Sequence, residues 1–415
     1  MDFKNTTKTA FNKVLEPIKS KRFTKYLKTV GVDRYIKKFF CFKFLSLMIY
    51  AQFNQLSSLR EISDCLENED FQKIIGLTSI SPSQISRKLK DFNPEIAQQL
   101  FKDIVRQVRT ELGTKGFLKA LGPLSLIDST TISLCLTQYP WADFRKSKSG
   151  VKLHLRLNYI DGNTFPDEAV VTIAKRADKT MMKSLVDNKE NVFNVFDRAY
   201  LDYEKFDEYC EKEILFATRL KKNAIKEVVG QNPLTDCQNI KNDSVVILGR
   251  DGTTKMDNPL RCIKAIDLEG KEIEIITNNF EASAEEIGDI YRHRWQIEIF
   301  FKWIKQHLQV KHFHSLAQQA VETQLHIALI TYCLLKIVKL RTSYTGSLLK
   351  IERLLKACFH EPFSCFIEKL YKKPKHSSRG RPKEKHEIVF KMLEWQVMEN
   401  GTDHLDDLTY DPIIL

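Results

Sequence analysis

Between Tyr291 and Lys305 the chain reads YRHRWQIEIFFKWIK. On a helix advancing about 100° per residue, Tyr291, Arg294, Glu298 and Lys305 fall within about 60° of one another. A phenol, a guanidinium, a carboxylate and an ammonium therefore share one stripe. Ile297, Phe301, Ile304 and Leu308 form a second, apolar stripe roughly 100° away, able to anchor the helix to a core while the polar stripe faces a cleft. The competing reading is an exposed, salt-bridged helix, because Arg294 to Glu298 is an ordinary i,i+4 pair. Two further acids favour the cleft. Asp128 in LSLIDSTTISL and Asp197 in NVFNVFDRAY stand at the ends of apolar runs, and with Glu298 they make one candidate set of carboxylates.

The elements that must carry these acids follow from pattern. LSLIDSTTISL reads as a strand, and VKLHLRLNYI alternates strictly, with Lys152, His154, Arg156 and Asn158 on one face and Leu153, Leu155, Leu157 and Tyr159 on the other. The Asp161–Asn163 turn leads into a third strand, Ala169–Ala174. A helix from about Lys179 to Asp187 precedes the short strand that ends at Asp197, and a helix near Tyr203–Glu211 precedes the strand ILFAT. Arg219–Ser283 then interrupts with SVVILG, LRCIKAI and EIEIIT, a β-rich insert. Asp143, Asp161, Asp167, Asp202 and Glu204 are expected in turns or at helix starts, where capping and solvation account for them.

The spacing Tyr, two residues, Arg, three residues, Glu, six residues, Lys resembles the signature of the IS4-type DDE transposases, and Tyr291, Arg294, Glu298 and Lys305 match all four of its positions. The preceding ITNNF, the aromatic run after Glu298 and the placing of Asp128 and Asp197 match as well, so the resemblance covers roughly residues 120–345. It implies an α/β, RNase H-like catalytic domain with a β-strand insertion, flanked by helical N-terminal and C-terminal regions, in which Asp128 and Asp197 are neighbours. Asp128, Asp197 and Glu298 would be both catalytic residues and metal ligands. Two Mg²⁺ ions, with Mn²⁺ as a substitute, suit such hard oxygen donors and in-line phosphoryl transfer. With metal to generate the nucleophile, no protein base is required, so His154 and His293 are expected to be phosphate contacts or solvated. Tyr291, Arg294 and Lys305 suit phosphate clamping; Trp295 suits either stacking on a base or a core position. The family's insert can hold a flipped base on an aromatic side chain, whereas Arg219–Ser283 offers Phe280 and no Trp or Tyr, which puts base flipping by the insert in doubt.

Composition agrees with a DNA partner. In 415 residues, 43% hydrophobic and 28% charged, the net charge is +12, and clustered Lys and Arg gain free energy by releasing counterions from a phosphate backbone. Nine cysteines without a CxxC pair read as buried thiols in a reducing cytosol, not as a zinc or disulfide framework. The apolar runs FFCFKFLSLMIYAQF and HIALITYCLLKIV are short or interrupted by polar residues, so no membrane partner is expected.

Three regions are expected: a helical DNA-binding domain at 1–115, the catalytic domain at 120–345 with its insert at 219–283, and a helical, basic region at 346–415. In ISPSQISRKLKDF, Ser81 or Ser83 can cap a helix that points Gln84, Arg87 and Lys88 outward, as a helix-turn-helix reader does and as any surface helix does. Arg379 and Arg381, in an RGRP core like that of AT-hooks, are candidates for minor-groove insertion or for a plain basic linker. The reading as a whole is a bacterial, cytoplasmic transposase, nucleoid-associated when bound to DNA. It would bind terminal inverted repeats, cleave at the element ends and join 3′ hydroxyls to target DNA, with a homodimer as the active complex. The alternatives are a metal-dependent nuclease of the same fold without strand transfer, and a DNA-binding protein with an inactive site.

Overall fold

The run LSLIDSTTISL folds as β1 (Leu124–Leu134), the strand about which the sheet is laid. The computed structural model describes residues 8–113, 123–145, 148–160, 162–233, 239–252, 254–266 and 272–372. A short β2 (Asp143–Arg145) leads into β3 (Lys148–Ile160), which pairs antiparallel with β1 on one side and with β4 (Asn163–Ile173) on the other. Gly162, at φ +77°, supplies the left-handed backbone of the β3–β4 turn. On the opposite flank of β1 lie β5 (Phe193–Phe196) and then β6 (Phe216–Arg219), both parallel. The insert supplies β7 (Lys226–Gln231), β8 (Ile240–Leu248), β9 (Leu260–Ile266) and β10 (Glu272–Thr277). Because β10 pairs antiparallel with β6, these strands prolong the same sheet, in the order β2-β3-β1-β5-β6-β10-β9-β8-β7 with β4 on β3.

Helices cover both faces. The first segment gives α1 (Ala10–Leu15), α2 (Lys21–Val30), α3 (Cys41–Asn54), α4 (Leu59–Asp64), α5 (Glu69–Ile75), α6 (Pro82–Asp91) and α7 (Pro94–Leu112). Between strands come α8 (Met182–Leu185) and α9 (Tyr203–Glu211); after the sheet come α10 (Ala284–Arg292), α11 (Trp295–His307), α12 (Gln318–Thr342), α13 (Leu348–Cys358) and α14 (Phe363–Tyr371). Strand alternation sorts the core in two. Leu124 and Leu126 of β1 join the large cluster with Phe101, Ile297, Phe300 and Leu329, while Ile127 joins a smaller one with Met182, Phe196, Phe206 and Phe216.

The first-segment helices share the large core. α12 packs against α7, α3, α6 and β4. Across this junction Arg109 of α7 is ion-paired with the buried Asp167 of β4, which also takes the Arg156 fork at 2.7 and 3.1 Å. α12 is long and apolar enough to cross a membrane by length and composition, yet 94% of its most apolar window is buried inside the protein. The described residues up to Leu370 belong to one compact unit; of the second, Tyr371–Leu415, only Tyr371 and Lys372 are described.

Several local expectations are corrected. Tyr291–Lys305 is not one continuous helix: α10 ends at Arg292 and α11 begins at Trp295. At the break the backbone bonds tighten to i→i+3, Arg294 N to Tyr291 O at 3.0 Å and Ile297 N to Arg294 O at 3.1 Å, where His293 stacks on Tyr159 of β3 at 4.4 Å. The helix expected from Lys179 is a 3₁₀ turn, Asp178–Met181, followed by the single turn of α8. Asp143 and Asp167 lie in strands, Asp167 because it neutralises Arg156 and Arg109. Asp202 precedes α9 but its side chain makes no capping hydrogen bond there, pairing instead with Lys179 at 3.6 Å, and Glu204 lies in the first turn of α9. Asp161 lies outside the described residues. The Lys152–His154–Arg156–Asn158 face is covered, with His154 and Asn158 buried.

Candidate active site

β1 outruns its parallel neighbour. β5 ends opposite Ile127, so among the described residues the peptide after Asp128 has no strand beside it on that flank, and the Ser129 amide donates to Asp128 Oδ1 at 2.7 Å. Asp128 shares the parity of Leu124 and Leu126 and so faces the side where α11 packs. Asp197 is the first residue beyond β5 and caps a 3₁₀ turn, Arg198–Tyr200, its carbonyl accepting from Tyr200 N at 3.0 Å. Glu298 stands in the first turn of α11, held by the buried Ile297, Phe301 and Ile304 about 100° round that helix.

Arg294 joins two of these acids. Its Nη1 lies 3.4 Å from Asp128 Oδ2 and its Nη2 donates to Glu298 Oε1 at 2.5 Å. Burial pushes the Asp128 carboxyl up to about 6; the Ser129 amide and Arg294 oppose the shift, and the Asp197 and Glu298 charges add to it. Burial also works against the Arg294 charge, but Tyr291, Glu298 and Asp128 hold it above the ordinary arginine value. The Tyr291 phenol is raised by burial and by Asp197, against Arg294 and Arg219. Arg294 thus ties Asp128 of β1 to Glu298 of α11 directly, while Asp197, just beyond β5, bears on Asp128 and Tyr291 through its charge. Lys305 sits further along α11, half-buried, with no hydrogen bond or ion pair among the described residues; burial and the neighbouring Lys311 lower its pKa.

The other sequence candidates lie elsewhere. Trp295 is 50% exposed beside Arg294, and Ile299, one turn on, is exposed too, so the core position considered for Trp295 is not the one it takes. Arg87 is exposed and Lys88 half-buried on α6, which begins with a Ser81–Gln84 capping box and buries Ile85 and Leu89. Arg379 and Arg381 lie outside the described residues. His154 is fully buried, with Nε2 2.9 Å from Thr172 Oγ1 and its pKa driven down to about 4 by burial, and is not a solvated group.

Sequence reasoning missed two features. Arg219 closes β6 and bears on Tyr291 without a carboxylate partner among the described residues; the signal was a cation ending a strand two places from β1. Asp178 gathers Ser129, Lys152 and His154 beneath β1; no local pattern announces it.

Among the described residues, no three His, Cys, Asp or Glu side chains are grouped to hold an ion as they stand. Asp128, Asp197 and Glu298 are oxygen donors of the chemical kind that hard divalent cations take, and Arg294, which spans Asp128 and Glu298, is their counter-charge here.

Residues 119–334 match the family described as "Transposase DDE domain", and residues 6–76 match "Domain of unknown function (DUF4372)". The chain is similar to a "Probable transposase for insertion sequence element IS5377" of Geobacillus stearothermophilus, 31% identical over 286 residues that cover 68% of this chain and 73% of that protein. It is 29% identical over 289 residues to "Putative transposase y4zB" of Sinorhizobium fredii, covering 68% and 79%. To a "Putative transposase for insertion sequence element IS4SA" of Synechocystis it is 25% identical over 271 residues, covering 64% and 75%.

Proposed function

Because the chain belongs to the DDE-domain transposases, we propose that it binds the terminal inverted repeats of an IS4-type insertion sequence, cleaves the DNA at the element ends and joins the 3′ hydroxyls to target DNA. The observation that carries this reading is the Arg294 bridge between Asp128 on β1 and Glu298 on α11, beside Asp197 at the end of β5. The order β4-β3-β1-β5-β6, antiparallel on one flank of β1 and parallel on the other, supports an RNase H-like catalytic domain with the insert continuing its sheet.

Asp128, Asp197 and Glu298 would hold two Mg²⁺ ions, or Mn²⁺ in their place, which when bound activate an oxygen nucleophile and stabilise the leaving oxygen. The chain's own residues do the rest. Arg294 neutralises Asp128 and Glu298 in the free protein, and its fork turns to a DNA phosphate once those carboxylates are otherwise compensated. Lys305, with no partner among the described residues, binds a further phosphate as a point charge, and Tyr291 orders the Arg294 side of the cleft. The exposed face of Trp295 stacks on a base at the cleaved end.

Recognition falls outside the cleft. α6 offers Arg87 and Lys88 to the major groove from the first region, 1–115, while the catalytic region is 120–345. Arg379 and Arg381, in the basic region 346–415, add sequence-independent affinity. Two ends are paired by a homodimer, and the protein works in the bacterial cytoplasm on the nucleoid.

Asp128→Asn, Asp197→Asn and Glu298→Gln should each abolish Mg²⁺-dependent cleavage of a duplex carrying the element's end while leaving binding largely intact. Cleavage near the wild-type rate in any of them overturns the assignment of that residue. Supplying pre-cut ends with free 3′ hydroxyls and a plasmid target separates the readings: joined product supports a transposase, cleavage without joining supports a nuclease, and neither supports an inactive DNA-binding protein.

A further inference from the structure

We propose that Asp178 is a positioning residue for Asp128 and acts through the hydroxyl of Ser129. Strand alternation puts Asp128 and Ser129 on opposite faces of β1, Asp128 towards α11 and Ser129 towards the cluster that contains Ile127. Ser129 therefore touches both sides. Its amide donates to Asp128 Oδ1 at 2.7 Å, and its hydroxyl donates to Asp178 Oδ1 at 2.6 Å.

The strand needs such an anchor here. β3 holds β1 on one flank, with Ser129 opposite His154, but β5 has already ended opposite Ile127. From Asp128 onward no ladder among the described residues lies on the β5 side to fix the rotation of the peptide plane that orients the carboxylate. The Ser129–Asp178 bond takes that role from beneath.

Asp178 is itself fixed. It opens the 3₁₀ turn that follows β4, and its Oδ2 accepts from Lys152 Nζ at 3.3 Å, while the same ammonium donates to Arg176 O at 3.2 Å. The buried His154 ring walls the other side, with Nδ1 3.4 Å from Asp178 Oδ1 and Nε2 2.9 Å from Thr172 Oγ1. β1, β3, β4 and the turn after β4 thus converge on one carboxylate that does not face the cleft. Groups that orient a metal ligand from behind typically alter metal affinity by about 10–100-fold when removed.

The inference rests on Asp128 being a metal ligand, and the test keeps the two apart. Ser129→Ala, Asp178→Ala, their double variant and Asp178→Asn are compared with the wild-type full chain by calorimetric titration with Mn²⁺ alone. The Mg²⁺ dependence of end cleavage and the affinity for end duplex without metal are measured alongside. Ser129→Ala and Asp178→Ala should each weaken Mn²⁺ binding about tenfold, and raise the Mg²⁺ needed for half-maximal cleavage by the same factor, with metal-free DNA affinity unchanged. The double variant should be no weaker than the weaker single one, and Asp178→Asn, which keeps an acceptor for Ser129, should recover most of the loss. Wild-type Mn²⁺ affinity in Ser129→Ala, or additive losses in the double variant, would overturn the proposal. If Asp178→Ala fails to fold, Ser129→Ala decides alone. Cleavage surviving in Asp128→Asn sinks the underlying reading; loss there with a wild-type Ser129→Ala sinks only this inference.

Discussion

Replacing Asp128 by Asn should stabilise the metal-free protein above neutral pH while removing its chemistry. Asp128 is pushed from 3.8 up to about 6, first by burial and then by the Asp197 and Glu298 charges, against the Ser129 amide and Arg294. A carboxyl whose folded pKa lies above its unfolded one favours the fold only while protonated. Its contribution is fully present below about 3.8 and is lost as pH rises through about 6. The shift of about two units corresponds to about 3 kcal/mol at about 1.36 kcal/mol per unit, an upper value given partial solvent access. Asn keeps the volume, still offers an acceptor to Arg294 and the Ser129 amide, and carries no charge. At about 2.1 cal/mol/K of unfolding entropy per residue over a unit of about 370 residues, about 3 kcal/mol becomes roughly 4 °C in Tm. Scanning calorimetry in chelator should therefore show Asp128→Asn melting higher than wild type at pH 8, with the gap roughly halved at pH 5. Added Mg²⁺ should raise the wild-type Tm and leave the variant where it was. A variant that melts lower at pH 8, or a gap indifferent to pH, would refute the view that Asp128 is held against its own ionisation.

Lys305→Ala should weaken binding to end duplex and make the salt dependence shallower by about one phosphate contact; an unchanged slope returns Lys305 to an ordinary helix charge. Arg87→Ala and Lys88→Ala should lower the ratio of affinities for terminal-repeat over scrambled duplex, measured by competition, with Tm within about 1 °C of wild type because α6 buries Ile85 and Leu89 and not these two. Trp295→Ala should leave stability unchanged and slow cleavage in single-turnover assays, since half its surface is already open to solvent. Deleting residues 372–385 should weaken binding to specific and random duplexes alike; a selective loss for terminal repeats would move sequence readout into that segment.

Much of the site was legible because its local signals are strong. Asp197 directly follows β5 as an acid ending an apolar run should, whereas Asp128 lies inside β1 and comes to a margin only because β5 stops opposite Ile127; Ile297, Phe301, Ile304 and Leu308 are buried as their spacing requires. The break at His293 could not be read, because its stacking partner Tyr159 is 134 residues earlier. The partners of the polar face of β3 were hidden for a similar reason: Asp167 and Asp178, which neutralise Arg156 and Lys152, become neighbours only once β4 and the turn after it fold back. β7 was overlooked as an edge strand with mostly exposed residues and a register shift at Gly230. That the insert extends the sheet instead of standing apart depends on the β10–β6 pairing, which alternation does not encode.

The placement of α12 also sets a timetable for synthesis. α7 ends at Leu112, but the helix that covers its apolar face ends 230 residues later, at Thr342. At about 5–20 residues per second, a ribosome takes roughly 10–50 s to deliver the missing partner. During that interval the amphipathic helices have no completed core, and Asp167 must emerge before Arg109 finds its ion pair. A chain interrupted before α12 would remain a chaperone client and not a helical module ready to occupy DNA. Competence to grip an end and competence to cut it would then mature together, late in translation.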